Sequence, residues 1–300
     1  MIIHDPEWEA GLNVTEQIPV SMSDWWHDQM PYLLDFYMGV NNTNGDIPPP
    51  NAFLFNDTIK PLAFSFEPRK RYLLRIVSVA GLTCGQFHIE GHLLNIVAVD
   101  GVKVQPKDAD TILVCAGQRY DAVVTGKSNP STSVQFIAKM ATDMLTTSPP
   151  PDTKLTVIGN ATYRKSNGQN ITIDSAITKI LKPSWMPASV LDDTTLIPAD
   201  RQPLLCGVSK KITFRTNQTY YEGIGTRISL GAQPWIAPKV PVLYSVLSTG
   251  RNALFPSTYG PGNVPEILKT NDIVQIYMEN PQPWPHPMHM HVSNLLSGEI

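Results

Sequence analysis

The chain has 300 residues and a mass of 33.2 kDa, which exceeds one typical domain and leaves room for two packed cores. Its composition is 42% hydrophobic and only 16% charged, with 27 Pro and 19 Gly, which excludes a disordered chain or a coiled coil and favours turn-rich β structure. The formal net charge of -3 provides no basic field, so we expect a small substrate and neither nucleic acid nor an anionic membrane surface as a partner.

Short strand patterns follow one another along the first half of the chain. Alternating apolar and polar side chains predict a strand at 18–26, and apolar residues at helical spacing predict a helix within 26–40. A turn-rich connector at 41–50 follows. Further strands are predicted at 72–79, 92–99, 111–114 and 120–124, with Asp100-Gly101 marking a turn. This spacing is typical of a β-sandwich.

The second half contains a region of weak strand signal and then a second group of strands. Between 160 and 202 Pro and Asp accumulate, which indicates an extended linker between two domains. Beyond this linker, strands are predicted at 211–216, 227–230, 240–247 and 267–279. Because helix-length patterns do not alternate with the strands, two Greek-key β-sandwiches explain the sequence better than an α/β fold.

Cysteine spacing limits the kinds of metal site. The three cysteines, Cys84, Cys115 and Cys206, are never spaced as CxxC, which excludes a zinc ribbon or a thioredoxin-like motif. One disulfide remains open as an interpretation.

Three of the seven histidines fall within the segment 285–291, which reads Pro-His-Pro-Met-His-Met-His. In an extended strand His289 and His291 point to one face and His286 to the other, so one strand could serve two metal centres. Imidazole suits copper and zinc. The alternative is a solvated, His-rich chain end.

At this segment the sequence resembles the multicopper oxidases, whose third copper-binding motif reads HPxHxHGH. Stretches similar to ascomycete ferroxidase-like and laccase-like members occur in the same order at 20–28, 72–77, 118–120 and 237–241. The resemblance implies an all-β chain of tandem cupredoxin-like Greek-key β-sandwiches, of fungal origin. It implies a middle domain at 1–160, a linker at 161–202 and a partial C-terminal domain at 203–300 that ends at the copper motif.

The resemblance also implies copper ligands. It makes His286 a ligand of the type 1 copper, His289 of the type 2 copper and His291 of the type 3 pair. A complete member carries a further Cys in a final HCHxxxH motif and further His pairs in its first domain, and this sequence contains neither. We therefore expect a truncated and inactive fragment of a copper-dependent oxidoreductase.

Glu90 is the candidate substrate-binding residue. The resemblance implies this, because in the family the strand containing 87–92 borders the pocket of the type 1 copper. A carboxylate there could accept a proton from a phenol or bind ferrous iron during oxidation. Without the resemblance, Glu90 would be a surface carboxylate. No acidic residue lies between Lys211 and Tyr221, which weakens the hypothesis that iron is the substrate. We therefore expect oxidation of phenolic, pigment-type substrates by dioxygen, which is reduced to water, with a ferroxidase of iron uptake as the alternative.

Two histidines lie near Glu90 in the sequence. His88 and His92 would lie about 13 Å apart along one strand, too far for one ion, so we expect structural roles.

Two other protein classes compete with the multicopper oxidase hypothesis. A noncatalytic secreted β-sandwich with a vestigial metal site is one competing class. A zinc hydrolase at HxxHxH is the other, and it lacks an acidic general base nearby.

Six Asn-x-Ser/Thr acceptor sites favour a secreted glycoprotein. They are Asn13, Asn41, Asn56, Asn160, Asn170 and Asn217. We expect an extracellular or cell-surface location for the complete protein, although the sequence begins without a signal peptide and contains no apolar run of the roughly 20 residues that cross a bilayer.

Overall fold

The computed structural model describes residues 2–60, 63–130, 134–164, 189–231, 233–260, 262–263, 265–283, 286–288 and 290. These residues divide into two compact units. Unit 1 comprises Met1–His27 and Pro49–Gln202, and unit 2 comprises Asp28–Pro48 and Pro203–Ile300. The predicted site residues Asn170, His289 and His291 lie outside the described residues.

The strands of unit 1 form two sheets. They are β1 Glu16–Trp25, β2 Ala52–Phe55, β3 Phe64–Phe66, β4 Arg71–Ser78, β5 Gly85–Ile89, β6 Leu94–Val99, β7 Val102–Ala109, β8 Thr111–Val114, β9 Arg119–Thr125, β10 Val134–Met140 and β11 Thr156–Tyr163. A six-stranded sheet has the order β2-β1-β4-β9-β6-β7, and a five-stranded sheet has the order β3-β11-β10-β5-β8. The pairs β1–β4 and β3–β11 are parallel, and the other neighbours are antiparallel.

The hydrophobic core of unit 1 lies between the two sheets. Every second side chain of β4 points into it, and Tyr72, Leu74 and Ile76 are at most 1% exposed. Aromatic rings from both sheets meet at its centre, where the ring centroids of Phe55 and Phe136 lie 4.8 Å apart. This packing agrees with the alternation seen in the sequence, because a strand that faces another sheet buries one side chain in two.

The opposite face of the six-stranded sheet is covered by the first helix, α1 (Pro6–Gly11). Asp5 caps this helix by accepting a hydrogen bond from the main-chain N–H of Trp8 at 3.2 Å. Trp8, Leu12 and Val14 cover three apolar side chains of the sheet, Leu73, Val97 and Val123. Since β4 is therefore buried on both faces, its sequence is nearly continuous in apolar residues.

Unit 2 contains a three-stranded sheet and two helices. Its elements are α2 Met30–Tyr37, β12 Lys210–Tyr221, β13 Gly225–Leu230, α3 Val242–Ser248 and β14 Val274–Glu279, with 3-10 turns at Gly250–Leu254 and Pro256–Tyr259. The sheet order is β13-β12-β14, in which β14 is parallel to β12.

The segment 28–48 belongs to unit 2 although the chain enters it from β1 of unit 1. Its carbonyl groups accept hydrogen bonds from side chains of the β12–β13 hairpin. Tyr220 donates to Val40 at 2.8 Å, and Thr226 donates to the carbonyl of Asn42 at 3.1 Å. These bonds join residues separated by 180 or more positions in the sequence.

The predicted all-β class is confirmed, and the strand boundaries in unit 1 differ by only a few residues. The strand predicted at 240–247 is wrong, because helix α3 occupies Val242–Ser248. A short apolar run does not distinguish a strand from a helix by periodicity, and here the run after the N-cap residue Pro241 forms a helix. The helix predicted within 26–40 is present as α2, and Pro31 lies in its first turn, where its missing N–H costs no helical hydrogen bond.

The predicted linker at 161–202 contains ordered contacts with unit 1. Strand β11 continues to Tyr163, inside the predicted linker. Further along, the main-chain N–H of Gln105 donates to Ile197 and that of Leu191 donates to Thr111, each at 2.8 Å. The described residues of this segment therefore extend unit 1.

No helix in the ranges that the structure describes is both long enough and apolar enough to span a membrane.

Candidate functional site

Glu90, the predicted substrate-side carboxylate, directly follows β5 in unit 1. Its main-chain N–H donates to the carbonyl of Gln135 on β10 at 2.8 Å, which fixes the backbone at this end of the strand. The side chain is half-buried. Within the described part of the chain, the carboxylate has neither a hydrogen-bond donor nor a cationic partner, so it is available for a ligand or a cation.

A buried histidine supports the turn that carries Glu90. Nδ1 of His92 donates to the main-chain carbonyl of Glu90 at 2.9 Å, and Nε2 lies 2.6 Å from the hydroxyl of Tyr163. That hydroxyl accepts from the main-chain N–H of Lys127 at 2.7 Å, so its own proton points to Nε2 of His92. We assign the Nδ1-protonated tautomer to His92 from this network.

The electrostatics of this turn favour the neutral form of His92, because they lower its pKa. Burial lowers the pKa of His92, and the nearby charge of Lys127 lowers it further, whereas the bond to the Glu90 carbonyl acts in the opposite direction. Gly91 has a φ of +63, and a Cβ there would lie 2.5 Å from Nζ of Lys127. The positive φ favours glycine at the centre of the turn, whereas the end of the flexible Lys127 side chain could move away from a Cβ.

His88 and His92 have the structural roles that the sequence predicted. Both are at most 5% exposed, and Nδ1 of His88 donates to the carbonyl of Asp110 at 2.7 Å. The assumed geometry of one shared strand is wrong, because β5 ends at Ile89 and His92 lies in the following turn.

Of the predicted copper ligands, only His286 is described. It is half-buried, and its Nε2 lies 2.6 Å from Oε1 of Gln282. Imidazole is a ligand type that suits copper. Among the residues with described positions, no group of three His, Cys, Asp or Glu side chains is close enough to hold a metal ion. The fit of His286, His289 and His291 to copper centres therefore stays a prediction.

The cysteines are accounted for without a metal. Cys84 and Cys115 form a disulfide that joins the chain just before β5 to the chain just after β8. Cys206 is an exposed free thiol. The sequence left open whether one disulfide forms, and the structure assigns it to Cys84 and Cys115.

A buried carboxylate that the sequence analysis did not select is Asp24. It accepts from the main-chain N–H groups of Gly81, Leu82 and Thr83 at 2.8 to 2.9 Å, and it is 7% exposed. Its role is to hold the loop before Cys84. The signal was present in the sequence, because an Asp at the inward parity of β1, after Val20 and Met22, requires a buried hydrogen-bonding partner.

The acceptor sites for glycosylation differ in exposure. Asn13, Asn41, Asn160 and Asn217 are exposed, whereas Asn56 is half-buried and its Oδ1 accepts from the main-chain N–H of Ser21 at 2.7 Å.

The comparisons with known proteins agree with this architecture. A family model described as multicopper oxidase matches residues 16–166, and a second model with the same description matches 235–296. The iron transport multicopper oxidase fetC of Epichloe festucae is 32% identical over 296 residues, covering 98% of this chain and 45% of the relative. The iron transport multicopper oxidase FET3 of Gibberella zeae is 30% identical over 292 residues, covering 97% of this chain and 45% of the relative.

Solved structures give the same result. The crystal structure of Fet3p, described as a multicopper oxidase that functions in iron import, superimposes with a TM-score of 0.78 at 26% identity, over 89% of this chain and 48% of that one. A laccase from Botrytis aclada has a TM-score of 0.56 at 18% identity, over 78% of this chain and 42% of that one, which supports the fold alone.

The stacked sheets and these matches define a cupredoxin-fold protein. The chain belongs to the multicopper oxidase family, as its copper motif and four other stretches suggested. Members of this family use type 1, type 2 and type 3 copper centres. The chain spans a little under half the length of the curated relatives that it matches.

Proposed function

We propose that the protein containing this chain is a ferroxidase, which oxidises ferrous to ferric iron for iron uptake. The observation that carries the proposal is the similarity, along 98% and 97% of the chain, to two oxidases named for iron transport. The higher TM-score against Fet3p than against the Botrytis aclada laccase supports it. This reverses the order expected from the sequence, in which phenols came before iron.

The reaction removes one electron from each ferrous ion. Four such electrons and four protons reduce one dioxygen to two waters, so no other reductant is needed. The type 1, type 2 and type 3 copper centres that members of this family use would supply the redox chemistry that passes these electrons to dioxygen. We propose His286, His289 and His291 as copper ligands of this chain, on the basis of the motif and the imidazole chemistry.

Glu90 is the residue of this chain that we propose to bind the iron. Its half-buried carboxylate is unpaired within the part of the chain that the structure describes, and oxygen ligands suit hard cations. A carboxylate attracts a trivalent ion more strongly than a divalent one, since the Coulomb energy grows with charge. It therefore stabilises the ferric product and favours loss of the electron. His92 and Tyr163 act as positioning residues, because they hold the turn next to Glu90.

A kinetic test separates the two substrate classes. The copper-loaded intact protein that contains this chain is assayed with ferrous iron and with a methoxyphenol. We expect Glu90→Gln to raise KM for iron by about ten- to a hundredfold, the cost of losing one charged contact. The exposed Glu7→Gln in α1 is the matched control and is expected to behave as wild type. Turnover of the phenol with no iron oxidation would favour the laccase alternative.

We also propose that the protein is a secreted glycoprotein of fungal origin. A disulfide between Cys84 and Cys115 is typical of proteins that fold in an oxidising compartment. Four exposed acceptor asparagines are compatible with attached glycans. The fungal relatives support the origin. Detection of the intact protein in the culture medium or at the cell surface, with a mass reduced by a glycosidase, would test the location and the modification together.

A further inference from the structure

A polar cavity of about 450 Å³ lies on the outer face of the six-stranded sheet in unit 1. This volume falls in the range of about 300–1,000 Å³ that is common for small-molecule sites. Four neighbouring strands contribute the polar residues Arg71, Asn95, Asp108 and Thr125, and the turn after β5 adds Gly91 and His92 to the lining. The side chains of Leu93 and Val123 contribute apolar surface.

The polar groups of this cavity are arranged for a neutral ligand. Nδ2 of Asn95 donates to Oδ1 of Asp108 at 2.7 Å, which orients both side chains. The other carboxylate oxygen of Asp108, Oδ1 of Asn95 and the guanidinium of Arg71 form no hydrogen bond with any residue in the described ranges. One positive and one negative group leave the lining without net charge. Donors and acceptors beside an apolar patch match a sugar, whose hydroxyl groups do both and whose ring carries C–H surface.

The acceptor site at Asn13 is joined through its neighbours in the chain to residues that line this cavity. It follows α1 in the left-handed conformation, with a φ of +49, and its side chain is exposed. The residues on either side, Leu12 and Val14, pack on the cluster that contains Val123, which lines the cavity. Two residues on, the main-chain N–H of Thr15 donates to the carbonyl of Arg71 at 2.7 Å. The acceptor site Asn13-Val14-Thr15 is therefore anchored to two lining residues.

We propose that Asn13 carries an N-linked glycan whose first N-acetylglucosamine residues occupy this cavity. The hydroxyl and acetamido groups of the sugar bond to Asp108, Asn95 and Arg71, and the sugar ring covers Leu93 and Val123. The inference rests on the proposed glycosylation and adds a binding site for the attached sugar. Asn217 provides the contrast, because it lies in the exposed strand β12, where its Nδ2 donates to the hydroxyl of Thr219.

The test compares glycans within one molecule. The full chain is secreted from a yeast host that attaches high-mannose glycans, and peptide mass spectrometry measures the occupancy of each site. The native protein is then treated with an endoglycosidase that cleaves between the two core N-acetylglucosamine residues. We expect cleavage at Asn13 to be at least about tenfold slower than at Asn217, equivalent to about 1.4 kcal/mol of protection. The two rates become equal after denaturation.

Variants of the lining residues provide the second measurement. Arg71→Ala and Asp108→Ala are each expected to raise the native cleavage rate at Asn13 to that at Asn217 without changing occupancy. Lys70→Ala and Asp152→Ala remove the same charges at exposed positions that do not line the cavity, and they are expected to leave the rate unchanged. Circular dichroism checks that each variant is folded.

The possible results separate this inference from the proposal on which it rests. If no acceptor site carries a glycan, both the glycoprotein proposal and this inference fail. If other sites are occupied and Asn13 is not, only the inference fails. It also fails if Asn13 and Asn217 are cleaved at equal rates in the native protein, or if the lining variants behave as their controls.

Discussion

The hydroxyl of Tyr163, at the end of β11, lies 2.6 Å from Nε2 of His92, in the turn after β5. In the five-stranded sheet, β10 lies between these two strands. The contact therefore ties the turn that carries Glu90 to a strand that is not its neighbour. Since His92 is 5% exposed and Tyr163 is fully buried, neither group has water as an alternative partner.

We expect Tyr163→Phe to lower the free energy of unfolding by about 1–3 kcal/mol. The substitution leaves Nε2 of the buried His92 and the main-chain N–H of the half-buried Lys127 without their partner, which costs most at the buried imidazole. Urea denaturation of the protein, followed by tryptophan fluorescence, measures the change. Tyr32→Phe removes a hydroxyl from a residue that is 69% exposed and is expected to be neutral. Equal stability of the two variants would contradict the inferred network.

The same histidine makes stability depend on pH. Burial lowers the pKa of His92 below its ordinary value of 6.5, so the folded state binds fewer protons than the unfolded state in mildly acidic solution. The stabilisation is complete above pH 6.5 and is lost as the pH falls through the lowered pKa. We expect the Tm to fall between pH 7.5 and pH 5, and His92→Gln to reduce this fall. The charges that bear on the ring are those of Lys127 and His88.

A second titrating group acts at lower pH. Glu9 of α1 lies 2.5 Å from Nη2 of Arg75, whose Nη1 lies 2.6 Å from Asp121. Burial alone would raise the pKa of Glu9, but hydrogen bonds from Gln17 and His4 and the charge of Arg75 lower it to about 2.

Because the pKa of Glu9 is lowered from 4.5, its contribution to stability is present above pH 4.5 and is lost as the pH falls towards 2. We expect Glu9→Gln to lower the free energy of unfolding at pH 6 by about 1–2 kcal/mol and to have little effect near pH 2. Denaturant titrations at the two pH values measure this. Glu7→Gln, on the exposed side of the same helix, is the control, and an equal effect of both variants would refute a specific role for Glu9.

The disulfide predicts a dependence on reductant. Cys84 and Cys115 are 31 residues apart, and closing a loop of this length restricts the unfolded chain by about 3–4 kcal/mol. We expect the Cys84→Ala, Cys115→Ala double variant to unfold at a lower denaturant concentration than wild type and to show no response to reductant. Cys206→Ala removes the exposed thiol and is expected to keep the wild-type response. A double variant as stable as wild type would show that the bond adds nothing to stability.

The sequence predicted unit 1 well because its strands carry strong local signals. Alternation around Val20 and Met22 and the Asp100-Gly101 turn, with φ values of +51 and +85, locate β1 and the β6–β7 hairpin to within a few residues. Helix α1 escaped prediction because six residues provide less than two helical turns of pattern. Glu90 was selected through the family resemblance and stays a prediction, whereas Tyr163 could not be selected, since it approaches His92 only when the sheet forms.

The inclusion of residues 28–48 in unit 2 has a consequence for biosynthesis. On the ribosome, α2 emerges long before the β12–β13 hairpin. The carbonyl of Met38 accepts its hydrogen bond from Arg227, 189 positions later, and that of Val40 accepts from Tyr220, 180 positions later. Until the hairpin is made, the helix that contains Met30, Tyr32 and Phe36 lacks the rest of unit 2. These three side chains are at least half exposed even in the folded structure. The contacts of the segment 28–48 within unit 2 therefore cannot form before the β12–β13 hairpin has been synthesised, so the folding of unit 2 depends on contacts distant in sequence.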